Sequence, residues 1–279
     1  MKSSYSILNP VSSSRAPLGS CALGMMIKAP RAGASKTRLV PPLAPDEAAA
    51  LSVCFLRDTA TNIAAAASAG GAQGIAVYTP VGAEAAFDGL LPKEFCLLAQ
   101  RGESFGDRLL YAVEDLLAIG YESVCLIDSD SPTLPPALLA AARDALARAG
   151  DRIVLGHCDD GGYYLIGVKK AHRRLFSDIA WSTAKVFSQT IERAAEINLE
   201  VEALPAWYDV DDAATLRALC DELFSPSLFS SSRPRAGRDN LDNLAGYDAP
   251  HTRRYLAELI EAEGRERIWP DIRASEKTA

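Results

Sequence analysis

The sequence predicts a three-layer α/β fold, with helices on both faces of a central sheet, and three observations carry the prediction. Apolar runs of strand length alternate with stretches of helical periodicity along most of the chain. The run at 124–127 is continuously apolar and ends in acids, the pattern of a parallel strand buried on both faces whose loop meets a ligand. The composition, 48% hydrophobic and 23% charged over 279 residues, supports a sizeable core in one large domain or two small ones.

Taken in order, residues 1–20 are Ser-rich and read as a flexible leader, without the continuous apolar stretch of a signal peptide. A strand is predicted at 21–27, then a loop of Gly, Lys and Arg, then an Ala-rich helix over 45–69. Residues 75–78, closed by Thr79 and Pro80, and 95–99 are the next strands. Over 106–119, Leu109, Leu110, Val113, Leu116 and Leu117 recur at helical spacing, and Gly120 is the stop signal. After the strand at 124–127 come a helix from 135 to 149, strands at 153–155 and 163–168, a helix at 184–197, a strand at 201–204 and a helix at 213–223. The main α/β domain is therefore expected over 21–224, and 225–279 as a linker with a C-terminal helix. The linker reading rests on the shift to Ser, Pro, Arg, Asn and Gly at 225–246. An amphipathic helix at 250–263 is expected to dock on the body or on a second subunit, which leaves a homodimer open.

Charge and cysteine usage exclude several classes. A formal net charge of -7 makes a nucleic-acid groove an unsuitable reading, so an anionic small molecule must find a local basic patch. The six cysteines form no C-x-x-C pair and sit mostly in apolar runs, which reads as buried small hydrophobes in a reducing compartment, with the cytoplasm as the expected location. No apolar stretch reaches the ~18 residues of a membrane span. The P-loop pattern, G-x-G-x-x-G after a strand, the G-x-S-x-G elbow and paired histidine ligands are all missing, so ATPase, dinucleotide, serine-hydrolase and His-zinc readings lose support.

Chemistry gathers in four places. Lys28, Arg31, Lys36 and Arg38 follow the first strand with no acid among them, and Gly33 lets the loop fold tightly. Lysine offers phosphate a point charge and arginine a planar fork, so the loop suits a phosphate cradle; a merely solvated basic loop is the alternative. Asp128 and Asp130 flank Ser129 directly after the strand at 124–127, and residues two apart in extended chain share a side. Two carboxylates ~4 Å apart repel by about 4 kcal/mol at an effective dielectric of 20, and Mg²⁺ or Mn²⁺ reverses the sign while bridging to phosphate. Capping of the next helix is the alternative. Asp209, Asp211 and Asp212 form another acidic turn before a helix, where Asp211 or Asp212 could be a cap. Asp159 and Asp160 form a third before Gly161 and Gly162, where Asp160 is expected to cap nothing and the glycines to let a ligand approach the backbone. Trp181 reads equally as a stacking platform or as a wall.

Lys28-Ala-Pro-Arg-Ala-Gly33, Lys36-Thr-Arg-Leu39, Asp58-Thr59, Gln100 with Gly106 and Arg108, Asp130-Ser-Pro132, Asp160-Gly-Gly-Tyr163, Leu165-Ile-Gly167, Trp181-Ser-Thr183 and Asp209-Val-Asp211 stand in this order. Together they resemble the bacterial glycosyltransferase-like proteins of domain of unknown function 2064, the transferase type associated with radical-SAM and selenodomain proteins. That family lies in the GT-A, or nucleotide-diphospho-sugar transferase, superfamily. The resemblance runs from Met25 to Leu216. It implies a GT-A fold with a mixed, mainly parallel sheet, a nucleotide over the N-terminal half, and a metal on Asp130 with Asp209 or Asp211. Asp128 stands where the family usually has a small residue.

Glycosyl transfer from a nucleoside-diphosphate sugar is the first functional expectation. Mg²⁺ or Mn²⁺ on Asp130, Asp211, Asp209 and Asp128 would stabilise the departing diphosphate together with Lys36 and Arg38. Lys28, Arg31, Gly33, Gly161, Gly162 and Trp181 would complete the substrate site, and Asp160 would orient or deprotonate the acceptor. Nucleotidyl transfer with release of pyrophosphate is the alternative, since the Lys36-Thr-Arg-Leu39 loop also resembles the guanylyltransferases of deazaflavin-cofactor synthesis. A binding protein that has lost the chemistry is the third reading.

Overall fold

The structure, a computed structural model, describes residues 4–225 and 244–270. Eight strands form one sheet: β1 (Ser6–Ile7), β2 (Cys21–Lys28), β3 (Ala72–Thr79), β4 (Cys96–Ala99), β5 (Ser123–Ile127), β6 (Arg152–Cys158), β7 (Tyr163–Val168) and β8 (Glu200–Trp207). Their order is β1-β4-β3-β2-β5-β7-β6-β8. Only β7 runs antiparallel to its neighbours β5 and β6. Among the described residues there are seven helices: α1 (Pro45–Ser68), α2 (Phe105–Ile119), α3 (Pro136–Ala147), α4 (Val186–Glu196), α5 (Ala213–Phe224), α6 (Pro250–Glu263) and α7 (Arg265–Ile268). The expected three-layer, mixed and mainly parallel α/β architecture is the one observed.

Strand alternation sorts the core into two layers. On β5, Cys125 and Ile127 join one apolar cluster while Val124 and Leu126 join the other. The first cluster takes Leu51, Phe55 and Ile63 of α1, Leu138 of α3, Leu216 of α5 and Leu256 of α6. The second takes Leu109, Val113 and Leu116 of α2 and Ala194 of α4. With both faces covered, the central strands are continuously apolar, which is why they stand out in the sequence.

Connectivity then places the chemistry. From β2 the chain passes through α1 to β3 on one side, whereas β5 pairs with β2 on the other, so the strand order reverses between β2 and β5. Loops at the carboxyl ends of strands beside such a reversal form a ligand crevice. The ends of β2, β5, β6 and β8 and the start of β7 all lie along that edge.

One expectation needs correction. Residues 4–20 are not a flexible leader: Ser6 and Ile7 pair in parallel with Cys96 and Leu97, and the buried Tyr5 hydroxyl donates to Leu91 O at 2.8 Å. Ala16 N–H donates to Ile119 O at 3.0 Å. A two-residue strand is too short to show periodicity, and serine content concealed it. The linker expected at 225–246 falls largely on residues 226–243, which lie outside the described residues. Helix α6 docks on the body, against α1.

Candidate functional site

The four acidic and basic turns of the sequence meet at the sheet edge. In the loop after β2, Lys36 adopts a left-handed backbone, φ 49° and ψ 43°, at the head of a short turn of 3-10 helix, Thr37–Leu39. Its side chain is 6% exposed, and Nζ lies 2.8 Å from both Asp130 Oδ1 and Asp211 Oδ1. It also donates to Val210 O at 2.7 Å. Burial opposes its charge, but Asp130 and Asp211 outweigh that and raise its pKa above the ordinary lysine value. A left-handed conformation at a non-glycine residue is strain that these contacts hold in place.

Backbone contacts staple the acidic loops together. Val210 N–H donates to Asp130 O at 2.9 Å, which brings the loop after β8 onto the loop after β5. Asp130 and Asp211 therefore share one place as the sequence suggested, but a lysine ammonium, not a gap between acids, joins them. Asp212 is the cap: its carboxylate accepts Thr215 N–H at 2.8 Å at the start of α5, and that bond holds its pKa low. This frees Asp211 from capping.

Asp128 behaves differently from Asp130. Burial first, then the charge of Asp130, push its carboxyl well above the usual range. One oxygen accepts Ser131 Oγ–H at 2.8 Å and the other is buried without a hydrogen-bond partner, so burial and the neighbouring Asp130 both disfavour its charged form.

The turn from β6 to β7 supplies the third acid group. Cys158 Sγ and carboxylate oxygens of Asp160 and Asp209 lie within 4.8 Å of one another. Asp160, expected to cap nothing, accepts Gly162 N–H on Oδ1 at 2.8 Å, an Asx turn that fixes its carboxylate. Gly161, at φ 89°, makes room for protein and not for a ligand, because a Cβ there would lie 2.3 Å from Ala184 O. Asp209 is pushed up to about 6 by burial, then by the charges of Asp160 and Asp211. Cys158, read from sequence as an inert hydrophobe, was the member missed; its position two residues before Asp160, in register with Trp207 of β8, was the available signal.

Two adjoining cavities result. The first, about 270 Å³, is bordered by Lys28, Ser35, Lys36, Thr37, Arg38 and Ser129. The second, about 460 Å³, is bordered by Asp128, Asp160, Asp209, Phe105, Tyr163 and Trp181 and by residues 182–184. Arg38, Asp130 and Asp211 border both, so the two are halves of one cleft. Gly162 borders the second cavity, whereas Arg31 and Gly33 border neither. Gly33 takes φ 69° in the loop, the tight fold expected of it.

The comparisons agree with this architecture. No curated protein matches the chain. The family model for domain of unknown function 2064, uncharacterised proteins conserved in bacteria, matches residues 62–183. The crystal structure of a candidate nucleotide-diphospho-sugar transferase from Desulfovibrio desulfuricans superposes with a TM-score of 0.71 at 30% identity, over 89% of this chain and 98% of that one. At lower similarity come CMP:2-keto-3-deoxy-manno-octonic acid synthetase complexed with CTP, with TM-score 0.45, 10% identity, 77% of this chain and 100% of that one. A 4-diphosphocytidyl-2C-methyl-D-erythritol synthase from Anaerococcus prevotii follows, with TM-score 0.44, 11% identity, 69% and 90%. These two bear on no residue of the site. With 30% identity sustained along nearly the whole of a nucleotide-diphospho-sugar transferase-like chain, and the family model matching its centre, the protein belongs to the family of domain of unknown function 2064.

Proposed function

We propose that the protein is a metal-dependent transferase that uses a nucleoside-diphosphate sugar. The observation that carries this is the polarity of the cleft. One half is lined by Lys28, Lys36 and Arg38 with serine and threonine residues beside the shared Asp130 and Asp211, and the other by further acids and aromatic rings with no cation beyond the shared Arg38. A nucleoside-diphosphate sugar has the same division, anionic at the diphosphate and uncharged at the sugar. Nucleotidyl transfer to a phosphorylated or carboxylated partner calls for a second set of cations, and the described residues of the aromatic half provide none.

The residues suit a divalent ion. Oxygen donors of Asp160 and Asp209 are close enough to share one, and Asp130 and Asp211 adjoin them across the cleft. Mg²⁺ or Mn²⁺, when bound, supplies charge stabilisation to phosphate oxygens. The buried, protonated Cys158 thiol is a poor partner for such hard ions, so the carboxylates would hold it. Arg38, 73% exposed and 3.9 Å from Asp211, is a cation with the freedom to follow the departing diphosphate. Asp160, with one oxygen fixed by Gly162, keeps the other for the ion or an acceptor hydroxyl.

Melting curves with nucleoside diphosphates, triphosphates and diphosphate sugars, each with Mn²⁺ or Mg²⁺, test the reading. A ligand at 100 times its Kd stabilises by about 2.7 kcal/mol. Diphosphate sugars are expected to give the largest metal-dependent shift. Triphosphates outranking them would replace glycosyl transfer with nucleotidyl transfer, and no shift with any nucleotide would remove the proposal.

A further inference from the structure

The aromatic wall of the second cavity is built more firmly than a chance exposed patch. Trp181 packs edge-to-face on Phe105, with centroids 5.1 Å apart, and on Tyr163 at 6.4 Å. Its indole rests on Gly106: a Cβ there would lie 2.9 Å from Trp181 Nε1 and 2.6 Å from Phe176 O, so any larger residue would push the ring out. The next residue, Ser182, sits at φ 60°, a left-handed conformation that costs a non-glycine residue energy. Phe105 remains 45% exposed at the cavity although it is a large apolar side chain. Fixed aromatic faces left open to solvent beside polar groups are the make-up of a ligand subsite.

Its chemistry narrows the ligand. The cavity is bordered by the aromatic side chains of Trp181 and Phe105, by Ser182, and by Asp160, a hydrogen-bond acceptor. No lysine or arginine borders it away from Arg38. Away from Arg38 and the ion proposed at Asp160 and Asp209, a phosphate or carboxylate would find acids and rings there and no protein cation. A hydroxylated ring presents C–H groups on one face and hydroxyls around its rim, and both find partners.

We propose that this wall binds an uncharged hydroxylated ring, a neutral sugar or cyclic polyol, stacked on Trp181 with hydroxyls toward Asp160. The assignment deepens the transferase reading and rests on it for the neighbouring diphosphate. The ring has two sources, the sugar of the donor or a sugar of the acceptor, and the same chemistry serves either.

The test compares wild type with Trp181→Ala and Trp181→Phe, each checked for folding by its melting curve. Calorimetry with Mn²⁺ measures UDP, GDP and their glucose and mannose conjugates. Saturation-transfer NMR measures methyl glucoside and methyl mannoside, with glucose 6-phosphate as the charged control, on free and on Mn²⁺–nucleotide-loaded protein. If the donor's sugar sits on the wall, Trp181→Ala weakens a sugar conjugate about tenfold and leaves the bare diphosphate unchanged, and Trp181→Phe restores most of the loss. If the acceptor's sugar sits there, the conjugates keep their affinity and the methyl-glycoside signal disappears in Trp181→Ala and returns in Trp181→Phe. Unchanged conjugate affinity and glycoside signal in Trp181→Ala, or glucose 6-phosphate binding more tightly than methyl glucoside, would overturn the assignment. Bare diphosphates that fail to bind wild type while methyl glycosides still depend on Trp181 would remove the nucleotide reading alone and keep this one.

Discussion

Lys36 is the residue on which the cleft turns. Its ammonium holds two carboxylates from loops 94 and 175 residues away in sequence, and removing it would leave them facing each other with Arg38 as their nearest described cation. Breaking a buried ion pair costs ~3–5 kcal/mol. Asp130 and Asp211 are 39% and 41% exposed, so solvent screening brings the expected loss for Lys36→Met to about 2 kcal/mol. Melting in chelator should show that loss, and Mn²⁺ should stabilise the variant more than it stabilises wild type, because an ion can take the ammonium's place. Equal Mn²⁺ shifts in the two proteins would mean that this acid pair does not bind the metal. Asp209 gives a prediction in pH. Its carboxyl titrates at about 6 in the fold against an ordinary 3.8. The native state therefore binds this proton more tightly than the unfolded chain, and the resulting stability is complete below about pH 4 and lost as pH rises through about 6. A rise of ~2 units corresponds to ~3 kcal/mol, and partial solvent access reduces it to about 1–2. Asp209→Asn in chelator should accordingly melt above wild type at pH 8 and together with it near pH 4, with Mn²⁺ removing its advantage at pH 8.

At the scale of elements, the acids divide by what their backbone neighbours need. Asp212 starts α5, and its carboxylate accepts one of the helix's first amide hydrogens, so Asp212→Ala should cost 0.5–2 kcal/mol by denaturant melting with Mn²⁺ affinity unchanged. Asp211, one residue earlier, should show the reverse on replacement by Asn, with weakened Mn²⁺ binding and little change of cap stability. Sequence alone left capping open for either residue, because one carboxylate beside a helix start looks like the next. Most elements were legible for a plain reason: strands buried on both faces must be continuously apolar, and α2 repeats its leucines on one face before Gly120. Strand direction was less legible. Tyr163–Val168 runs against its neighbours, and nothing in an apolar run of six states its direction. Lys36 could be picked out as a cation but not as the partner of Asp130 and Asp211, since that pairing exists only once β2, β5 and β8 share an edge. Cys158 was hidden by its own burial, the property that makes a cysteine look inert.

For the whole molecule, the C-terminal segment is part of the frame that spaces the cleft. Tyr247 N–H donates to Thr133 O at 2.9 Å, three residues beyond Asp130, and Thr133 also meets Trp207 Nε1 at 3.3 Å. At the other end, Arg267 donates to Pro42 O at 3.2 Å and pairs with Glu47, where the basic loop joins α1. The segment thus touches both loops whose spacing sets Lys36 against the acids. Asp58 of α1 fastens it: this fully buried carboxylate accepts His251 N–H at 3.0 Å and Thr252 N–H at 2.7 Å, two orphan donors at the head of α6. Asp58→Asn keeps one carbonyl oxygen but turns an amide NH₂ toward a second N–H, leaving a buried donor unsatisfied. Loss of one charge-assisted bond together with that mismatch should cost about 2–3 kcal/mol. Packing of Leu256 and Leu259 into the main core argues that α6 stays folded as part of the body in wild type. In Asp58→Asn it should open locally before the sheet does, so amide exchange at α6 should accelerate while that of β2 and β5 does not. Metal-dependent nucleotide affinity should fall alongside, because release of Thr133 and Pro42 loosens both loops at once. Faster exchange at α6 with unchanged nucleotide affinity would limit the segment to stability, and unchanged exchange would show that Asp58 does not fasten it.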